Sequence, residues 1–172
     1  MAAGAFSRKA GSTMEGPGLR ASAGDDHVDM TESFVADDIA YLLARAAYMA
    51  AKSFNAQLRP FGVGPAEWRV LSCLAEGHPM AIGVLAELVL QKQPTLTKIV
   101  DRMEADGLVS RTEDVGDRRR VLVAITPKGR GIVSDLIAKA RAHEGRILGD
   151  YGPAQQARLK SALKTLILRC EG

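Results

Sequence analysis

The stretch from Gln91 to Thr126, QKQPTLTKIVDRMEADGLVSRTEDVGDRRRVLVAIT, constrains the fold of this chain more than any other part. Placed on a helix from Pro94 to Ala105, Leu96, Ile99, Val100 and Met103 fall within about a quarter-turn and form one core stripe. Gly107 follows as a suitable left-handed stop. Two β-prone runs come next, Leu108–Arg111 and Val121–Ile125, separated by TEDVGDRRR with Gly116 as the turn residue. Just upstream, a short helix from about Ala81 to Leu88 connects through a few residues to the Gln93-Pro94 helix start. Two short helices joined in this way, the second polar on one side, match helix-turn-helix geometry. The hairpin after them makes a wing.

The flanking segments read as helices. From Ser33 to about Leu58, apolar residues recur at helical spacing (Ile39, Leu42, Leu43, Ala46, Met49, Ala50, Phe54, Leu58), and Arg59-Pro60 should end that run. The stripe is broader than one face needs for packing on a small domain. Gly64-Pro65 opens the next helix, with Glu67 in its first turn and Trp68, Leu71 and Leu74 on its buried side. Gly77-His78-Pro79 breaks it. Thr126-Pro127 caps a helix reaching roughly Leu148, and Gly152-Pro153 starts a final helix that ends near Arg169. The expected organisation is a flexible arm over 1–32, a dimerisation helix over 33–60, a winged helix-turn-helix over 61–127 and C-terminal dimerisation helices over 128–172. The fold class is mostly α with a small β-wing.

Composition agrees with this reading. The chain has 172 residues, 47% hydrophobic and only 5% aromatic, a mix that favours helices over a β-sandwich. Its net charge of +3 is compatible with polyanion binding but does not by itself indicate it. Cys73 and Cys170 are too few and too distant for a disulfide framework or a zinc knuckle. No apolar run reaches membrane-spanning length and no signal-peptide core is evident, so a cytoplasmic protein is expected. There is no phosphate-cradling glycine loop, HExxH or CxxC, and His27, His78 and His143 are scattered. The expectation is a non-enzyme with neither cofactor nor metal.

The polar side of the second short helix presents Thr95, Lys98 and Arg102, with Lys92, Gln93, Pro94 and Thr97 near its start. Hydroxyls and amines at a helix N-terminus can reach base edges, while Arg102, farther along, suits a phosphate. A solvated helix face would carry similar residues, but the wing shifts the balance. Arg118, Arg119 and Arg120 stand together at a turn, where arginine can enter a narrow minor groove. Asp117 is expected to brace one of them through a carboxylate–guanidinium pair.

These residues resemble the MarR family of bacterial winged helix-turn-helix regulators. The resemblance runs from GPAEWRVLSCL through LAELVLQKQPTLTKIVDRMEADGLVSR to DRRRVLVAITPKG, and with the flanking helices covers about Phe34 to Arg169. The family's wing pattern, Asp-x-Arg followed later by Leu-Thr, is seen as Asp117, Arg119 and Ile125-Thr126. The recognition-helix pattern is seen in Pro94–Lys98, with Lys98 where arginine is common. The resemblance implies a homodimer whose N- and C-terminal helices interdigitate, a pseudo-palindromic double-stranded DNA operator, a repressor role, and release by a small aromatic or phenolic anion. The broad stripe from Ile39 to Leu58, with Leu159, Leu163, Leu166 and Ile167 in the last helix, independently calls for a partner.

Candidate effector-pocket residues are Tyr41, Arg45, Tyr48 and Trp68, with His143 as a further candidate that reads more simply as solvated. Trp68 also reads as plain core, and Arg45 as a dimer salt bridge. A thiol-responsive regulator of the same fold is an alternative. Cys73 lies among leucines with no nearby cation, which favours an inert thiol, whereas Cys170 is the more accessible. A winged-helix protein-interaction module predicts a wing poor in arginine and an apolar exposed helix face, the opposite of this sequence.

Overall fold

The computed structural model describes residues 37–113, 116 and 121–171. The expected arm therefore lies outside the described residues, as does Asp117–Arg120 at the wing tip. The elements are α1 (Ile39–Asn55), a 3-10 turn (Arg59–Phe61), α2 (Pro65–Leu74), β1 (Met80–Ala81), α3 (Ile82–Leu88), α4 (Gln93–Ala105), β2 (Val109–Glu113), β3 (Val121–Ile125), α5 (Pro127–Ile147) and α6 (Pro153–Glu171). The three strands form one antiparallel sheet in the order β1-β3-β2. Val109 faces Ile125 and Glu113 faces Val121 across the wing.

The starts and stops follow local chemistry. Pro65 opens α2, and the Glu67 carboxylate accepts the Gly64 amide at 2.6 Å, satisfying a donor that the helix leaves orphaned. Thr126 accepts the Gly129 amide at 3.1 Å and so caps α5. Gly107 has φ +70° and ends α4 as expected. The first helix stops earlier than its periodicity suggests, at Asn55 and not Leu58. The Gln57 and Leu58 amides donate to Phe54 O and Asn55 O, three residues back, and this tighter turn swings Leu58 into the core. β1 was not foreseen, because two residues are too few to show a period. It pairs with β3 through Met80–Val123.

The core gathers one face from each element. Leu58, Leu71, Leu74, Leu85, Leu96, Met103, Val123 and Leu136 are almost fully buried, and no polar side chain is buried among the described residues. The α3–α4 connection turns through Leu90, a left-handed residue at φ 57°, held by Leu90 N to Glu87 O (3.1 Å) and Gln91 N to Ala86 O (2.9 Å). That conformation costs an L-residue with a side chain roughly 1–2 kcal/mol.

α1 and α6 behave differently. α1 buries only Phe54, and α6 buries nothing. Ile39, Leu42, Met49, Ile167 and Leu168 are all exposed. Helices draw most of their stability from packing an apolar face, so two helices this long and this bare need a further surface to pack on.

Candidate nucleic-acid interface

α4 is seated by the expected stripe. Leu96, Ile99, Val100 and Met103 are buried, which leaves Lys92, Gln93, Pro94, Thr95, Lys98 and Arg102 exposed on the outer side. A groove of about 630 Å³ runs along this side, lined by Pro94, Thr95, Lys98, Ile99, Asp101 and Arg102. Among the described residues no carboxylate pairs with Lys92, Lys98 or Arg102, so these cations remain available to an anionic partner. Thr97 sits differently from its neighbours. It is half-buried and its hydroxyl donates to Gln93 O at 2.9 Å, so it can only accept in any further contact. The helix start also offers few amide donors. Pro94 has none, and the Thr95 and Leu96 amides both donate to Lys92 O at 2.9 and 3.0 Å.

The structure adds a residue that sequence reasoning missed. Arg111, on β2, reaches across to α4. Its Nη2 donates to Asp101 Oδ1 at 2.6 Å, its Nη1 to Glu104 Oε2 at 2.8 Å, and its backbone amide to Glu104 Oε1 at 2.9 Å. A guanidinium fork suits two carboxylates, and here it fastens the first wing strand to the recognition helix. It also neutralises two acids beside the exposed Lys98 and Arg102. Arg111→Met is expected to weaken DNA binding about ten-fold while lowering stability by only about 1 kcal/mol, since the carboxylates are partly exposed. Anisotropy titration and thermal melting of the same variant check this; a large melting loss with normal DNA affinity would make the clamp purely structural.

The candidate effector residues do not come together. The Arg45 Nη1 donates to the Tyr41 hydroxyl at 2.7 Å and its guanidinium lies 5.8 Å from that ring, both on the outer part of α1. Tyr48 is exposed beside Lys52. None of the three lines the groove in which Trp68 sits. Instead Trp68 packs on Phe54 at 5.5 Å between ring centres, and Phe54 packs on His143 at 5.3 Å. His143 is thus half-buried, not solvated, and it hydrogen-bonds Ser53 Oγ at 2.7 Å. These rings line a groove of about 400 Å³ between α1, α2, α5 and α6, closed at one side by Leu159 and Leu163. The sequence signal for it was weak, because Phe54, Trp68 and His143 lie on three different helices.

Cys73 is partly buried, and burial pushes its thiol pKa up, away from the thiolate a redox switch needs. Cys170 is exposed. Among the described residues no cluster of His, Cys, Asp or Glu could hold a metal, and no helix is long and apolar enough to cross a membrane.

A helix-turn-helix with a strand-clamped wing, and a cationic helix face unpaired among the described residues, defines a winged helix-turn-helix transcriptional regulator. Residues 61–120 match the model of the MarR family. The transcriptional activatory protein BadR of Rhodopseudomonas palustris is 32% identical over 121 residues, covering 68% of this chain and 69% of BadR. The MarR family transcriptional regulator SPO1453 from Silicibacter pomeroyi superposes with a TM-score of 0.71 at 41% identity, over 79% of this chain and 97% of that one. CouR bound to a 23-mer DNA duplex gives 0.70 at 27% identity, over 81% and 98%. CouR from Rhodococcus jostii bound to p-coumaroyl-CoA gives 0.70 at 28%, over 78% and 94%. The chain belongs to the MarR family, whose members are transcriptional regulators and not enzymes.

Proposed function

We propose that this protein is a homodimeric regulator that binds a pseudo-palindromic operator through paired α4 helices and releases it when a small aromatic effector enters the Phe54–Trp68–His143 groove. The observation that carries the reading is the two-sided character of α4: one face locked into the core, the other presenting Thr95, Lys98 and Arg102 with no acidic partner among the described residues. The DNA-bound state of CouR supports the same use of this fold. Lys92, Gln93 and Pro94 lie at the helix start, where they approach base edges or the flanking phosphates, and Thr97 contributes at most an acceptor. Arg118, Arg119 and Arg120 act at the wing, with Asp117 bracing one of them.

The dimer follows from α1 and α6. Their exposed leucines and isoleucines find cover most simply in a second copy of the same two helices, which makes 33–60 and 128–172 the dimerisation segments and 61–127 the DNA-binding domain. Two α4 helices related by a twofold then address half-sites about one helical turn apart. Repression follows where the operator overlaps promoter elements; BadR, an activatory protein, uses the fold with the opposite sign.

The groove supports the effector half of the proposal. Its volume of about 400 Å³ suits a single aromatic molecule, and it joins the long helices to α2 of the DNA-binding domain. A ligand there stabilises one spacing of the recognition helices over another, and only that difference in affinity can move the equilibrium. The CouR complex with p-coumaroyl-CoA favours an aromatic effector. Tyr41, Arg45 and Tyr48 stand outside this groove and are better assigned to the dimer interface.

Titrating Arg119→Ala against operator and random DNA over a range of salt tests the interface. Both affinities should fall together, and the slope of log K against log salt should flatten by about one ion. An unchanged slope would remove that arginine from the contact.

A further inference from the structure

We infer that α4 reads a guanine edge through Lys98, and that Arg111 sets this preference as a positioning residue by keeping the Asp101 carboxylate from the bases. The inference rests on the operator reading above and concerns which base edge that face accepts.

The groove along α4 offers few kinds of chemistry. Of its lining, Lys98 and Arg102 can only donate hydrogen bonds, Thr95 can do either, and Pro94 and Ile99 do neither. Asp101 is the one group there that only accepts. None of the six lies on α1 or α6, the helices assigned to the dimer. Gln93, at the helix start, has its Oε1 beside α3, 3.8 Å from where a Cβ on Gly83 would stand.

In the major groove the bases differ in what they ask for. Guanine shows two acceptors, O6 and N7, and suits a lysine ammonium. Cytosine and adenine each show an amino group that needs an acceptor, and an aspartate supplies one. A free Asp101 beside Lys98 would therefore favour amino-bearing bases where Lys98 favours guanine.

Asp101 is not free. Its side chain is 54% exposed, within reach of solvent, yet Oδ1 accepts from Arg111 Nη2 at 2.6 Å. Arg111 is itself tied down, because its Nη1 and backbone amide donate to the two oxygens of Glu104 at 2.8 and 2.9 Å. Its Nη2 also makes a longer contact, 3.4 Å, with Thr97 O. Lys98 stands three positions from Asp101, near enough on a helix to pair with it, and forms no ion pair among the described residues. The guanidinium fork has taken the carboxylate, and the ammonium is left for a base.

Selection from a pool of randomised duplexes by the full-length protein, followed by anisotropy titration of the selected duplex, tests this. The parent should select a guanine in each half-site whose replacement by 7-deazaguanine, without N7, or by adenine, without O6, weakens binding about ten-fold. Lys98→Ala should bind these duplexes alike. Arg111→Met frees the carboxylate and should lower the preference for that guanine over cytosine and adenine about ten-fold. Adding Asp101→Ala to Arg111→Met removes the freed carboxylate and should recover the parent ranking. Asp101→Ala alone, with Arg111 still held by Glu104, should keep that ranking, and it decides the matter if Arg111→Met does not fold. If neither replacement costs the parent, or both cost Lys98→Ala as much, Lys98 is off the base and the inference is overturned. Uniform weakening by Arg111→Met, or a shifted ranking that the double variant retains, makes the clamp a purely structural fastener and overturns it too. So does a new ranking in Asp101→Ala. A parent that selects no sequence at all would sink the operator reading itself.

Discussion

Gly129→Ala is expected to destabilise the protein by about 3 kcal/mol, a large effect for one methyl group. Gly129 is the third residue of α5, where the helix passes directly over the end of α4 and the start of β2. A Cβ built there would overlap the Leu108 carbonyl oxygen and lie 3.0 Å from Ile125 Cγ1. The backbone oxygen cannot rotate away as a side chain could. It also accepts from the Thr126 amide at 3.1 Å and the Thr126 hydroxyl at 3.0 Å, so pushing it aside breaks the cap of α5. Because α5 packs against both α2 and α1, both melting temperature and operator affinity should fall. A variant that melts within a degree of the parent would show that the helix can lift away at little cost.

The second large effect lies on the recognition helix. Thr95→Ala or Lys98→Ala should change the ranking of half-site sequences by about 1–3 kcal/mol, on the proposal that each meets base edges. Both side chains are exposed on the groove-lining face of α4, and neither is committed to a protein partner among the described residues. Arg102→Ala, one turn farther on, should instead weaken all sequences by similar amounts. Competition binding against a panel of single-base half-site variants separates the two behaviours. Uniform weakening by Thr95→Ala and Lys98→Ala would move those residues from base reading to backbone contact.

Much of the fold was legible because it rests on short-range patterns. The α4 stripe repeats at helical spacing, and Gly64-Pro65, Gly107 and Thr126-Pro127 act within a few residues of the ends they mark. What escaped was set by contacts between distant segments. β1 has too few residues to show a period and exists only because β3 offers it an edge. Arg111 looked like one more strand residue until α4 brought Asp101 and Glu104 to it. The proposed effector groove shows the same limit. Tyr41, Arg45 and Tyr48 share a helix and a polar character, but the groove is built where α1, α2, α5 and α6 meet, and His143 belongs to it through Ser53 and Phe54.

Footprinting of the purified protein on its own promoter, paired with sedimentation of the complex, tests the two-helix mode of binding most directly. Two chains per duplex, protecting two inverted half-sites about 10 base pairs apart, is the predicted result. One chain per duplex, or a protected region with no twofold relation between its halves, would contradict it.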